Sequence, residues 1–121
     1  MTQTQTPKRY DLEDRTFKFA KAVRAFVGKL PKTLANIEDG RQVVRACGSV
    51  GSNYIEANEA LSKKDFVMRI KICRKEAKES QYWLRLMDTR EDQDLEDQRT
   101  PLVQEALELT KIFASILQKS Q

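Results

Sequence analysis

The sequence predicts an all-α protein, an antiparallel up-down-up-down four-helix bundle. Three observations carry that expectation. Four separate stretches place apolar residues at alternating spacings of three and four, the seam of an amphipathic helix. Helix start and stop signals fall between those stretches. The most regular stretch, residues 66–87, contains neither Pro nor Gly, so nothing inside it breaks a helix. A one-sided stripe of this length is not stable alone in water, and the other three stripes are its natural partners.

Residues 1–11 are polar, contain Pro7, and read as a disordered N-terminal tail. The bundle is expected over residues 12–119, with helices at about 12–29, 40–60, 63–87 and 101–119, and 120–121 as a short tail. In the first helix Phe19, Val23, Phe26 and Leu30 form the buried row, flanked by Thr16, Ala20 and Val27. Gly28 and Pro31 mark its end. Phe17 lies off the row and suits a contact at the helix start or with another subunit.

Asp39 followed by Gln42 resembles a capping box, so the second helix is expected to begin near Gly40. Val43, Cys47, Val50 and Tyr54 form one row; Val44, Gly48, Gly51 and Ile55 form a second beside it. Two rows make a face wide enough for two neighbours. Each glycine costs about 1 kcal/mol of helix propensity against Ala, and close helix approach is the compensation. A phosphate loop at Gly48 and Gly51 lacks the G-x-x-x-x-G-K-[ST] pattern. Asn53, Glu56 and Glu59 suit a hydrogen-bond network near the helix end.

Ser62 with Asp65 three residues on starts the third helix, whose seam is Phe66, Ile70, Cys73, Ala77, Ser80, Leu84 and Met87. Two other faces remain. Lys64, Lys71, Lys75 and Lys78 share a narrow sector, with Arg74 on its core-side border. This set could meet phosphates, or be a solvated face or a salt-bridged rim. Met68, Ile72, Trp83 and Leu86 lie roughly opposite the seam, a surplus apolar row expected to stay open in a monomer and to serve a subunit interface. Residues 88–98 read as an acidic loop or frayed helix start without a calcium-loop pattern. Thr100 and Pro101 read as N-cap and first residue of the fourth helix, which carries Leu102, Ala106, Leu109, Phe113 and Ile116.

Composition narrows function. Histidine is absent from the 121 residues, which removes His-based triads and His-ligated zinc. No nucleophile–base pair or Glu-x-x-His motif is present, so neither an enzyme nor a cofactor is expected. Cys47 and Cys73 fall at apolar helix positions and read as buried thiols, with a disulfide or metal role as the alternative. No stretch is apolar enough to span a membrane, and the first ten residues lack the apolar core of a signal peptide; the cytoplasm is the expected compartment. Net charge is +4, but residues 88–99 hold six acids against two arginines, leaving 20 basic against 12 acidic residues elsewhere. That balance suits a nucleic-acid partner without requiring one.

The stretches from Ser49 to Phe66, Arg69 to Glu79 and Tyr82 to Leu86 resemble the proteins encoded in intervening sequences of bacterial 23S ribosomal RNA genes, a four-helix-bundle family. The most specific element is Ser49, Val50, Asn53 and Glu56, in a Ser-Val/Ile-x-x-Asn-x-x-Glu pattern. Family members often follow that Glu with Gly, where this chain has Ala57. The resemblance implies a ring-forming homo-oligomer, commonly a pentamer. Related accessory proteins of diversity-generating retroelements bind nucleic acid and a reverse transcriptase through a basic surface. The resemblance supplies no catalytic residue. The combined expectation is a non-catalytic oligomeric scaffold or interaction protein, with an RNA or DNA backbone, or a protein partner, as the alternative target of the basic surface.

Overall fold

The computed structural model describes residues 9–120. Four helices occupy them: α1 (Arg9–Lys29), α2 (Leu34–Asn58), α3 (Lys63–Leu86) and α4 (Gln93–Ser120). Each helix packs along the next in sequence and α4 returns to α1, while the diagonal backbones stay apart and meet only through core side chains, as where the Tyr54 and Phe113 rings lie 5.8 Å apart, so the four form a closed antiparallel square. Among the described residues there is no strand. The most extensive contacts join α2 to α3 and α3 to α4; α1 and α4 meet most sparingly.

The core follows the apolar seams. From α1 come Leu12, Phe19, Val23 and Phe26, with Leu30 just past its end; from α2, Val43, Cys47, Val50, Tyr54 and Ala57. α3 adds Ile70, Cys73, Ala77 and Leu84, and α4 adds Leu95, Ala106, Leu109, Phe113 and Leu117. Phe66 sits at the edge of this cluster, half-buried. α1 and α2 approach closely at Gly51, where an added Cβ would lie 3.0 Å from the Thr16 hydroxyl, and again at Gly40, where it would lie 3.1 Å from the Val27 side chain. The Thr16 hydroxyl is itself buried and donates to the carbonyls of Leu12 and Glu13.

Three helix boundaries depart from the sequence-based expectation. Residues 9–11 belong to α1 rather than to a tail, and Asp11 lies in its first turn, where an acid favours the helix dipole. The disorder expected for residues 1–8 lies outside the described residues. α2 starts six residues before Gly40, because Thr33 accepts the Asn36 backbone N–H at 3.1 Å and supplies the cap assigned to Asp39. α4 starts eight residues before Pro101, because Asp92 accepts the Leu95 N–H at 3.1 Å. Pro101 is therefore inside the helix. It and Asp97, whose carbonyl it leaves without an N–H, are both exposed, so water can serve that group. At the far end, Ser120 is still helical, and Gln121 lies outside the described residues.

The acidic connection is consequently only residues 87–92. Arg90 and Glu91 turn it through left-handed backbone at φ 55 and 60°. One end of the bundle is locked around it. Asn36, buried, donates to the carbonyls of Pro31 and Asp88 and accepts the Asp88 N–H. Arg99 caps the end of α3 through the carbonyls of Leu84, Arg85 and Met87, and pairs with Glu96 at 2.6 Å. Ser62 caps α3 at its other end, accepting the Asp65 N–H at 3.0 Å.

Candidate functional site

Burying Ile70, Cys73, Ala77, Ser80, Leu84 and Met87 fixes the rotation of α3 and turns its opposite faces outward. Lys64, Lys71, Arg74, Lys75 and Lys78 are all exposed. The ion pairs among the described residues are Arg15–Glu105, Lys18–Asp14, Arg45 with Glu76 and Glu79, Arg69–Asp65 and Arg99–Glu96, and none involves these five cations. The salt-bridged-rim alternative therefore does not describe them. Arg74, Lys75 and Lys78 line a groove of about 490 Å³ between α3 and α4, opposite Leu107 and Thr110, with Gln81 in its wall. Glu79 also borders it, with the Arg45 guanidinium 3.9 Å away on the α2 side. Lys64 and Lys71 border a second hollow with Val67, Met68 and Ser120.

The same rotation reveals two residues that the sequence reading passed over. Lys64, Lys71, Lys78 and Arg85 are seven residues apart, so they recur on one side of the helix at steps of about 10.5 Å. Lys75 and Tyr82 occupy the intermediate slots. Arg85 and Tyr82 are both exposed. The spacing of seven was the available signal: the series Lys64, Lys71, Lys78 continues by one more repeat to Arg85.

The surplus apolar row is not continuous. Met68 and Leu86 are 54% and 50% exposed, but Ile72 and Trp83 are half-buried, and Trp83 packs against the core. Trp83 adjoins Leu84 in sequence, and its large indole reaches back from the border of the seam to cover apolar side chains. The expectation that all four stay open in one bundle is corrected accordingly. Other apolar exposure lies on the far side: Phe17 and Ile55 rim a groove between α1 and α2 whose floor includes Gly48 and Gly51.

Of Ser49, Val50, Asn53 and Glu56, Ser49 and Asn53 take part in a helix-to-helix clamp. Val50 is fully buried. The Asn53 amide donates to the Ser49 carbonyl and hydroxyl, and its oxygen accepts from Arg69 of α3 at 3.0 Å. Arg45 faces the buried Glu76 carboxylate, both oxygens at 3.4 Å, farther along the same α2–α3 seam. Glu56 is exposed and does not join either group. Of the network expected from Asn53, Glu56 and Glu59, the clamp contains Asn53 alone, which reaches across to α3.

Cys47 and Cys73 are free and buried. Burial pushes the Cys47 thiol up to about 11, against the opposing pull of Arg24, and the Cys73 thiol up to about 12. Such thiols stay protonated and unreactive near neutral pH. No group of His, Cys, Asp and Glu among the described residues could hold a metal ion. No helix of the structure is long and apolar enough to cross a membrane.

The sequence profile of the family described as 23S rRNA-intervening sequence protein matches residues 8–115, most of the chain. The chain belongs to that family. A crystal structure of a protein of unknown function from the S23 ribosomal protein family of Bacteroides thetaiotaomicron superposes on this intervening-sequence family member with a TM-score of 0.72. The two are 28% identical, and the match covers 91% of this chain and 97% of the other. A comparison with curated protein sequences gives no significant match.

Proposed function

We propose that this intervening-sequence family protein is a non-catalytic interaction protein whose working surface is the basic face of α3, and that the face grips nucleic-acid backbone. The observation that carries the reading is the set Lys64, Lys71, Arg74, Lys75 and Lys78: five exposed cations on one helix, none of them in an ion pair among the described residues. Cations held on a rigid helix and left without acids retain their charge for an external polyanion. Contacts of this kind position a phosphate backbone and carry little base information.

A second reading, self-assembly, is favoured by the exposed Met68 and Leu86 on α3. A ring of five is the form that the family resemblance suggests. It would present the basic face several times and raise avidity without new contacts. The same resemblance extends the partner list to a reverse transcriptase, and the cytoplasm is the compartment in which these partners meet.

A salt titration tests the main reading. With all five cations engaged, single-stranded binding should fall with a log–log slope of about −3.5, and Lys71→Glu/Lys75→Glu/Lys78→Glu should flatten it by about 2. No binding of structured RNA, single-stranded RNA or duplex DNA by the wild type at low salt defeats the proposal. So does equal binding by the folded triple variant. Sedimentation of the wild type only as a 14.0 kDa monomer at micromolar concentration defeats self-assembly.

A further inference from the structure

Tyr82 interrupts the cationic series at the slot between Lys78 and Arg85. The residue is 57% exposed on a helix whose other aromatics, Phe66 and Trp83, are half-buried. The ring is not loose. It stands edge-on to Trp83, with centroids 5.1 Å apart and planes at 76°. Trp83 is in turn packed against the core, so Tyr82 rests on a fixed base. Lys78 lies one turn before it and Arg85 one turn after, neither in an ion pair among the described residues. The exposed Tyr82 phenol makes no hydrogen bond to the described residues, so the contact with Trp83 is what accounts for the position of the ring.

An aromatic face set between cations matches the chemistry of an unpaired base joined to two phosphates. We propose that α3 takes a single strand of nucleic acid, with one base stacked on Tyr82 and the neighbouring phosphates on Lys78 and Arg85. This deepens the backbone-binding reading and rests on it. Every base offers a π face, so the stacked site selects strandedness more than sequence. A duplex keeps its bases stacked internally and can use only the cations. The groove beside Arg74 and Lys78, with Gln81 in its wall, gives the strand a path toward α4.

The test compares oligouridylate, oligothymidylate and a DNA duplex of equal length at matched salt, using the wild type, Tyr82→Phe, Tyr82→Leu and Tyr82→Ala. Trp83 is the only tryptophan in the chain and reports directly on its neighbour. Single strands should bind more tightly than duplex and change Trp83 emission where duplex does not. Tyr82→Leu and Tyr82→Ala should weaken single-strand binding by about 5- to 150-fold, while leaving duplex affinity and the salt slope unchanged. Tyr82→Phe should retain most of the affinity. Leu keeps an apolar cover over Trp83 without a π face, so a loss shared by Leu and Ala in folded protein separates stacking from simple packing. Equal losses on single strand and duplex, a preference for duplex, or full binding by Tyr82→Leu would overturn the proposal. If the wild type binds no nucleic acid, the backbone reading itself falls. If binding responds to lysine reversal but not to Tyr82, stacking alone falls. Oligouridylate against oligothymidylate then tells whether RNA or DNA is the better strand.

Discussion

Replacing Gly48 by Ala should stabilise the protein, and replacing Gly51 by Ala should not. Both glycines lie inside α2, so both substitutions gain about 1 kcal/mol of helix propensity. What differs is the space. A Cβ on Gly48 would meet only the far end of Arg24, 3.4 Å away, on an exposed flexible side chain held by long contacts to the Ala20 carbonyl at 3.4 Å and the Cys47 sulfur at 3.8 Å. A Cβ on Gly51 would lie 3.0 Å from the Thr16 hydroxyl and 3.4 Å from its Cβ. Thr16 cannot swing aside without losing its bonds to the Leu12 and Glu13 carbonyls, at 2.8 and 3.1 Å. Overpacking of that kind costs about 1–3 kcal/mol, which equals or exceeds the propensity gain. The difference between the two variants isolates the packing cost, because the propensity gain is common to both. Urea or thermal denaturation at one protein concentration measures it, with about 3–6 °C in Tm expected per kcal/mol for a chain of this size. Gly28→Ala is a control: nothing lies within 4 Å of its Cβ position, and its gain is limited only by its place one residue from the end of α1. In the double variant, Thr16→Ala should recover part of the Gly51→Ala loss, a coupling of roughly 1 kcal/mol. A Gly51→Ala protein as stable as Gly48→Ala would refute the close approach of α1 and α2 at this point.

Three further outcomes are expected. Asn36→Ala should cost about 1–3 kcal/mol in denaturant unfolding, since it strands the Asp88 N–H and two carbonyls at the locked end of the bundle; a change below the scatter of the measurement would show that the lock contributes nothing. Pro101→Ala should raise stability by about 1–2 kcal/mol, the helix-interior penalty of Pro less its restraint on the unfolded chain, and a lower Tm would contradict an interior position. The thiols of Cys47 and Cys73 sit above their ordinary 9.0 in the folded protein, so between that value and about 11 the unfolded chain binds fewer protons. Their contribution is intact below pH 9 and is lost as pH rises, at up to about 1.4 kcal/mol per pH unit for each thiol. A stability profile whose fall above pH 9 is identical in Cys47→Ala/Cys73→Ala would contradict it, as would rapid thiol labelling of native protein.

The bundle was legible in the sequence because helical periodicity is a local property. Phe19, Val23 and Phe26, or Ile70, Cys73, Ala77 and Leu84, declare a buried face whatever they pack against. Ser62 likewise announces the start of α3 within its own turn. The starts of α2 and α4 were misplaced because local signals competed there. Asp39 and the Thr100–Pro101 pair look like caps, and Thr33 and Asp92 are the ones that hold a backbone N–H. The cations of α3 were likewise visible as a stripe. That they lack acids was not, since pairing depends on where Glu76, Glu79 and Asp65 find Arg45 and Arg69. Tertiary packing also separated two adjacent aromatics of one helix. Trp83 adjoins the seam and is drawn over the core, while Tyr82, one position earlier and about 100° round the helix, is left in solvent beside the cations. The sequence determined which face of each helix is apolar, because that needs only the order of residues. Which charges stay unpaired and which ring stays open depended on neighbours distant in the chain, and only the assembled bundle decided them.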